Sequence, residues 1–166
     1  MFGRIFQVTE RPTATPSRRP LTPGETAMLR GVFGEGIDYA QVRIHPRKWW
    51  FVFPGNRPMA PNGHAYFPGD THVADFAAPG VPLWRKASFV HEGTHLYQWY
   101  GLKQWVWVRG PFQRNYDYRL EAGKPFTAYG LEQMGMIAQH YFTLANGGRI
   151  PLPYVLADYA PLLPLT

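Results

Sequence analysis

The residues with the clearest chemistry lie between Phe89 and Leu96, where two histidines stand four positions apart and a glutamate follows the first. On a helix, His91 and His95 would project from the same face one turn apart, so both imidazoles could bind one metal ion. Glu92 would lie beside them, where its carboxylate could take a proton from a water at an open metal position. The spacing therefore predicts the site of a zinc hydrolase with Glu92 as its general base.

A helix is predicted around this motif, beginning near Pro82 and ending at Gly101, since glycine favours a C-terminal cap. From Ala87 onward it has no proline, and Glu92 is its only acidic or basic side chain apart from the histidines. Apolar residues such as Ala87 and Val90 recur with helical spacing. This composition favours a buried helix that faces a metal. The alternative is a helix with hydrogen-bonded core histidines and a solvated glutamate.

Zinc in a hydrolase usually has three protein ligands and a fourth position for water, so a third ligand is expected on another element. The chain has no cysteine, which leaves histidine or carboxylate and excludes disulfides, cysteine nucleophiles and the cysteine-liganded peptide deformylases. Glu132 is the best candidate, because residues 125–148 contain no other acidic or basic side chain except a histidine. A buried carboxylate is costly unless a cation pairs with it. The alternative partner for Glu132 is Arg119.

Other groups fit a metal or catalytic role less well. His140 lies two turns after Glu132 and could be a ligand or a neighbour of the site, and Asp75 could orient a ligand histidine. The following are attributed to structure or surface charge: Asp117, Glu121, Asp158, His45, His64 and His72. A donor for the developing oxyanion is also expected. Four residues could supply it: Tyr116, Tyr118, Tyr129 and His140.

The elements that must position these residues are predicted to be mixed. Thr22 as N-cap, Pro23 at the first helical position and Glu25 in a capping box predict a helix that ends at Gly34. Strands are predicted at residues 39–44, 49–53, 64–67 and 71–76, a turn at 61–63, and a strand or loop at 105–108. A second buried helix is predicted within residues 125–148. The fold class is therefore α+β, with a small mixed or antiparallel sheet packed on the active-site helix and on the second helix.

Composition bounds the remaining possibilities. The 166 residues, 45% hydrophobic and 16% aromatic, suit a single core. We expect an extended arm over residues 1–20, the catalytic domain over 21–150, and a proline-rich, extended C-terminal segment packed on that domain over 151–166. The N-terminal residues lack the apolar core of a signal peptide, and no run is long enough to span a membrane. The net charge of +6 is scattered and matches no nucleic-acid-binding motif, so no nucleic-acid partner is predicted.

Short motifs are spread over residues 21–147. They are Leu21-Thr-Pro-Gly-Glu25, Val32-Phe-Gly34, Val42-Arg-Ile-His45, Lys48-Trp-Trp50, Met59-Ala-Pro-Asn-Gly-His64, Phe89-Val-His-Glu-Gly-Thr-His95, Tyr116-Asp-Tyr-Arg-Leu120 and Tyr129-Gly-Leu-Glu-Gln133. Together they resemble the zincin-type metallopeptidase domains attached to, or encoded beside, type VI secretion spike (VgrG) and Rhs proteins. Gly93 differs from the pattern, which has a larger apolar residue there, and the residues after Glu132 are less polar than expected.

The resemblance implies a zincin-like fold with a gluzincin-like zinc site of His91, His95 and Glu132. It implies an antibacterial effector that is made in the cytoplasm, secreted by the type VI route without a cleaved signal peptide, and active in the target-cell periplasm. The expected partners are a peptide or protein substrate, a VgrG- or Rhs-type delivery protein and a cognate immunity protein. By analogy with zincins, the strand at residues 64–67 would pair with an extended substrate.

Two other functions are compatible with the sequence. One is a non-catalytic module of a secretion or phage-like spike, in which the metal only stabilises the fold. The other is a nuclear or nucleoid-associated zinc protease acting on DNA-bound proteins, which the basic charge suggests and the scattered arginines disfavour. Protein, cell-wall peptide and self-processing all stay open as the substrate.

Overall fold

The computed structural model of this chain describes residues 17–50, 55–105 and 115–163. Within these ranges the fold contains four α-helices and one three-stranded sheet, so the predicted α+β class is confirmed. The helices are α1 (Pro23–Phe33), α2 (Leu83–Tyr100), α3 (Leu131–Ala145) and α4 (Leu156–Tyr159), and the strands are β1 (Arg19–Pro20), β2 (Arg43–His45) and β3 (Ala65–Tyr66). None of the helices in these ranges has the length and apolar character needed to cross a membrane.

Helix α1 begins and ends where the sequence predicts. The Thr22 hydroxyl accepts the Glu25 N–H at 3.0 Å and the Glu25 carboxylate accepts the Thr22 N–H at 2.9 Å, while Gly34 ends the helix with φ of 54°. Glu25 is fully buried and also accepts two bonds from Arg19, each of 2.7 Å, and one from the Phe76 N–H at 2.9 Å. One carboxylate therefore holds α1, β1 and the loop before α2 together.

The sheet is small and mixed. Strand β2 pairs antiparallel with β1 and parallel with β3, which gives the order β1-β2-β3. The predicted strands at residues 39–44 and 64–67 exist only as the shorter β2 and β3. The pair Arg19–Pro20, expected to be the end of an extended arm, is instead an edge strand.

The predicted strand at residues 71–76 is wrong. This stretch starts in a single 3₁₀ turn, Gly69–Thr71, and continues without a strand partner. It is held at the start of α1 instead, because the Thr22 hydroxyl donates to the Asp75 carboxylate at 2.9 Å and the Phe76 N–H donates to the Glu25 carboxylate at 2.9 Å. For the segments at 49–53 and 105–108, the described residues lie outside any strand and the others lie outside the described ranges.

Helix α2 lies at the centre of the fold and packs against α3, α1 and β3. Gly93 is the point at which α1 crosses α2: a methyl group there would collide with Leu29 and would lie 3.2 Å from the Phe33 ring. A glycine within a helix costs about 1 kcal/mol relative to alanine. Here the cost is offset by close packing of two helices, which explains why a larger apolar residue is absent.

Helix α3 starts later than the beginning of the predicted segment. Residues Phe126–Ala128 form a single 3₁₀ turn, and Gly130 is the N-cap, so the α-helix begins at Leu131. The C-terminal segment also differs from its prediction as an extended, proline-rich segment. It contains α4, where the Asp158 carboxylate accepts the Val155 N–H at 2.8 Å. Helical structure forms there because a local side chain caps the turn.

Candidate metal centre

His91, His95 and Glu132 lie together where α2 packs against α3. The two imidazoles are one turn apart, with ring centroids separated by 5.3 Å. The Glu132 Oε2 atom, in the first turn of α3, is 3.1 Å from His91 Nε2 and 3.5 Å from His95 Nε2. Donors bound at roughly 2.0–2.1 Å to a tetrahedral zinc ion are about 3.3 Å apart. The three groups therefore fit one zinc-sized ion, and Glu132 pairs with the histidines rather than with Arg119.

The electrostatics of the cluster favour positive charge. Burial opposes ionisation of Glu132, but hydrogen bonds with His91 and His95 outweigh burial and hold the Glu132 pKa well below its usual range. Burial also disfavours the charged form of His95, yet its bond to Glu132 and the nearby carboxylate of Glu92 raise the His95 pKa to about 9. A cation at this point would satisfy the same carboxylates.

Glu92 faces the same cluster and is buried, with 7% of its surface exposed. Burial raises its pKa, which the charges of His95 and His91 partly oppose. Among the residues that the structure describes, its Oε2 atom has no hydrogen-bond partner. An unpaired buried carboxylate oxygen is costly. Its position beside the two histidines fits a group that accepts a proton from water or from a substrate.

Gln98 is a site residue that the sequence reasoning missed. It is fully buried, its Oε1 atom is 2.8 Å from His95 Nδ1, and its amide nitrogen donates to the Leu131 carbonyl at 2.9 Å. The amide oxygen can only accept, so Nδ1 of His95 carries the hydrogen and Nε2 faces Glu132. Gln98 thus fixes the His95 ring and ties it to the start of α3. The sequence could have indicated this contact, because a residue three positions after His95 lies beside it on a helix.

Gly135 provides the space for the other imidazole. A methyl group at this position of α3 would lie 2.6 to 2.9 Å from three atoms of the His91 ring. A real side chain could not approach so closely without displacing the ring. Gly135 is one of the apolar residues that follow Glu132, and the site requires its small size.

The structure separates the four candidate oxyanion donors. The Tyr118 hydroxyl lies 2.6 Å from His140 Nδ1 and 2.7 Å from the Tyr159 hydroxyl, and burial raises the Tyr118 pKa far above its usual range. The Tyr129 hydroxyl accepts the Glu121 N–H at 3.1 Å. Tyr118, His140 and Tyr129 are therefore engaged in contacts that stabilise the core, and His140 is not part of the metal-ligand cluster.

Tyr116 is the candidate that lies against the site. Its ring is stacked on His91, with centroids 6.2 Å apart and planes 27° apart. Its hydroxyl accepts a hydrogen bond from Arg57 Nη2 at 2.5 Å, which leaves the hydroxyl proton available to another acceptor. The charge of Arg57 interacts with both Glu132 and Glu92. Arg57 was missed in the sequence because it stands among many scattered basic residues.

The remaining acidic candidates are held by local contacts. Asp75 accepts the Thr22 hydroxyl, Asp158 caps α4, and Glu121 accepts a bond from Lys124 at 2.7 Å. None of these partners is a histidine of the cluster. Asp75 therefore does not orient a ligand histidine.

The strand that was expected to pair with the substrate already has a backbone partner at one position. Strand β3 is an outer strand, but Tyr66 exchanges two backbone hydrogen bonds with Met59, of 3.0 and 2.8 Å. The prediction that this strand pairs with an extended peptide is therefore wrong at Tyr66. The chain folds back on itself there and takes the hydrogen bonds that a substrate would need.

A second pair of histidines lies at the sheet, where His45 is the last residue of β2 and His64 immediately precedes β3. The rings of His45 and His64 are 5.7 Å apart at 55°, and His45 stacks on Tyr66 with a centroid distance of 4.5 Å. Burial and the charge of Arg47 lower the His45 pKa to about 4, and burial and the charge of Arg43 lower that of His64. Within the described residues, the cluster able to bind a metal contains His91, His95 and Glu132 and neither of these two.

Two comparisons with known proteins find a relative. The chain is 37% identical over 138 residues to the type VI secretion system spike protein VgrG2b of Pseudomonas aeruginosa, a match that covers 77% of this chain and 13% of that protein. Among solved structures, it matches the effector domain of Pseudomonas aeruginosa VgrG2b with a TM-score of 0.73 and 33% identity, covering 93% of this chain and 86% of that one. No protein-family model matches the chain.

Proposed function

Because the chain belongs to the family of the VgrG2b effector domain, we propose that it is a zinc-dependent metallopeptidase with a zincin-like fold that acts as a type VI secretion effector. The observation that carries the enzymatic part is the buried cluster of His91, His95 and Glu132, whose ligand atoms all lie within 4.8 Å of one another. The unpaired oxygen of Glu92 beside this cluster supports a hydrolytic role over a purely structural one.

His91, His95 and Glu132 would hold the zinc ion. Zinc held there would polarise a substrate carbonyl and make water acidic enough to lose a proton near neutral pH. Gln98 keeps the His95 ring in one orientation and directs its Nε2 atom to the cluster. The His95 ring is therefore already oriented for metal binding, and such orientation increases metal affinity.

Glu92 would move the proton. Its buried carboxylate has a raised pKa, which suits a group that takes a proton from the attacking water and returns it to the amine that leaves. Tyr116 would donate its free hydroxyl proton to the oxygen of the substrate carbonyl as negative charge develops on it. Arg57 supports this role. Because Arg57 donates to the Tyr116 hydroxyl oxygen, the hydroxyl proton does not point to Arg57 and can be donated to the substrate.

The proposed domain bounds, delivery route and site of action rest on the relationship to the VgrG2b effector domain. We propose that residues 21–150 form the catalytic domain, that residues 1–20 are an arm, and that residues 151–166 pack on the domain. A VgrG- or Rhs-type protein would deliver it by the type VI route, and it would act on peptide or protein in the periplasm of the target cell. A cognate immunity protein would protect the producing cell.

Periplasmic expression in a susceptible bacterium tests the proposal. Wild type and Glu92→Gln would be compared for toxicity, with zinc content measured on the same purified proteins. We expect both to bind zinc and the wild type alone to be toxic, because the substitution removes the proton acceptor and retains every proposed ligand. Equal toxicity would leave the metal a structural role and would remove the peptidase proposal.

A further inference from the structure

Arg57 has more hydrogen-bonding capacity than the described part of the chain uses. Its guanidinium carries several N–H donors in a planar fork, of which the structure assigns one, on Nη2, to the Tyr116 hydroxyl. Among the described residues, no carboxylate lies within ion-pair distance of Arg57. The other donors therefore face solvent or whatever enters the site.

The position of Arg57 connects this free capacity to the candidate metal centre. Tyr116, which Arg57 contacts, is stacked on His91, and the Arg57 charge interacts with Glu92 and Glu132. A divalent cation in the cluster would offset those two carboxylates. The positive charge of Arg57 would then dominate the mouth of the site and attract an anionic group.

The planar fork of arginine matches a carboxylate, with which it can form two parallel hydrogen bonds. We propose that Arg57 binds a carboxylate of the substrate, so that the enzyme prefers peptides with a free carboxylate near the bond that is cleaved. This inference rests on the proposed peptidase function and deepens it, because it names the substrate class. Arg57 is a specificity residue in this role, and Tyr116 is the residue nearer the reacting atoms.

The carboxylate could come from the peptide C-terminus or from an acidic side chain, and matched probes distinguish the two. The first pair is a short N-acetylated alanine peptide that ends in a carboxylate or in a carboxamide. The second pair, amidated at the C-terminus, contains a glutamate or a glutamine. Binding would be measured by calorimetry on zinc-loaded Glu92→Gln protein, which does not need to hydrolyse the probe.

We expect at least one carboxylate probe to bind roughly 10- to 100-fold more tightly than its neutral partner, the usual effect of a charge-assisted hydrogen bond. Adding Arg57→Ala should abolish this preference, and Arg57→Lys should restore part of it. Arg85→Ala is the matched control, because Arg85 is a partly exposed arginine on α2 that donates to the Asp70 carbonyl. This control removes the same charge from another surface and should leave the preference intact.

The outcomes separate this inference from the function on which it rests. If both members of each pair bind alike, or if Arg57→Ala retains the preference, the carboxylate role is wrong even though the wild type hydrolyses peptides. If Arg57→Ala instead slows hydrolysis of all probes equally and leaves binding unchanged, Arg57 acts only by positioning Tyr116, and the proposal is overturned. If the wild type hydrolyses no peptide while the binding preference is present, the proposed function fails and the carboxylate site stands.

Discussion

The protein contains two histidine pairs with similar ring geometry and opposite electrostatics. The rings of His91 and His95 are 5.3 Å apart at 74°, and those of His45 and His64 are 5.7 Å apart at 55°. In the first pair the Glu132 carboxylate contacts both rings, and the His95 pKa is raised to about 9. In the second pair burial and nearby arginines lower the His45 pKa to about 4.

The difference shows that two close imidazoles do not make a metal site. A cation is stabilised where carboxylates offset its charge and where the ligand rings are held in one tautomer. Glu132 and Gln98 supply both conditions to the pair on α2. The pair at the sheet has arginines around it, and a stack with Tyr66 accounts for the burial of His45. Four experiments would break or sharpen this comparison.

Removal of the distant carboxylate should have the largest effect. We expect Glu132→Ala to lose stoichiometric zinc and all peptidase activity. Without Glu132, no carboxylate of α3 would contact the pair on α2, and that pair would resemble the pair at the sheet. Elemental analysis after dialysis measures the zinc. His45→Ala is the matched control and should retain full zinc content. Zinc loss in His45→Ala with zinc retained in Glu132→Ala would show that the pair at the sheet binds the metal and the pair on α2 does not.

The next largest effect is expected at Glu92. Glu92→Gln should lower kcat by roughly 10²- to 10⁴-fold, the usual contribution of a general base, while zinc affinity changes little. Steady-state kinetics on a peptide substrate and zinc titration measure the two quantities. Loss of zinc in this variant would mean that Glu92 is a ligand, and unchanged kcat would mean that it carries no proton.

Gln98 tests whether ring orientation matters as well as charge. Gln98→Ala should weaken zinc binding by roughly 10- to 100-fold, because residues that orient a ligand histidine contribute about this much. Competition with a chromophoric chelator gives the affinity, and circular dichroism checks that the helix is intact. A conservative Gln98→Glu variant retains an acceptor for His95 Nδ1 and should recover part of the affinity. Unchanged affinity in Gln98→Ala would show that the ring is held by packing alone.

The smallest effect concerns the other pair and appears as a pH dependence of stability. The His45 pKa is about 4 in the folded protein and near 6.5 in the unfolded chain, so between these values the unfolded state binds more protons. The stabilising contribution is present above about pH 6.5 and is lost as the pH falls towards 4. Between pH 7.5 and pH 5 the loss is on the order of 2 kcal/mol.

Urea unfolding of wild type and His45→Asn at pH 7.5 and at pH 5 measures this effect. The difference between the two proteins cancels the titration of the candidate metal centre, which both contain. We expect the variant to lose less stability than the wild type on acidification. An identical pH dependence in both proteins would show that His45 is not held neutral by the fold.

Sequence patterns were accurate where the cause was local. The capping box of Thr22 and Glu25 specified the start of α1, and the motif helix ran from near Pro82 to Gly101 as expected. The strand predictions were less accurate, because β-branched and aromatic residues fit any half-buried surface. In the stretch predicted as a strand at residues 71–76, the Phe76 N–H donates to the Glu25 carboxylate and the Val73 carbonyl accepts from Arg19. No local pattern reveals that distant side chains take these backbone groups.

The sequence by itself determined the chemistry that is available: two histidines and a glutamate on one helix, the absence of cysteine, and a lone carboxylate in an apolar helix. Only the tertiary structure decided which groups meet. It brought Glu132 to His91 across 41 positions of sequence and Arg57 to Tyr116 across 59. The physical reason is that helical spacing is fixed by the backbone, whereas contacts between distant segments depend on how whole elements pack, down to single glycines such as Gly93 and Gly135.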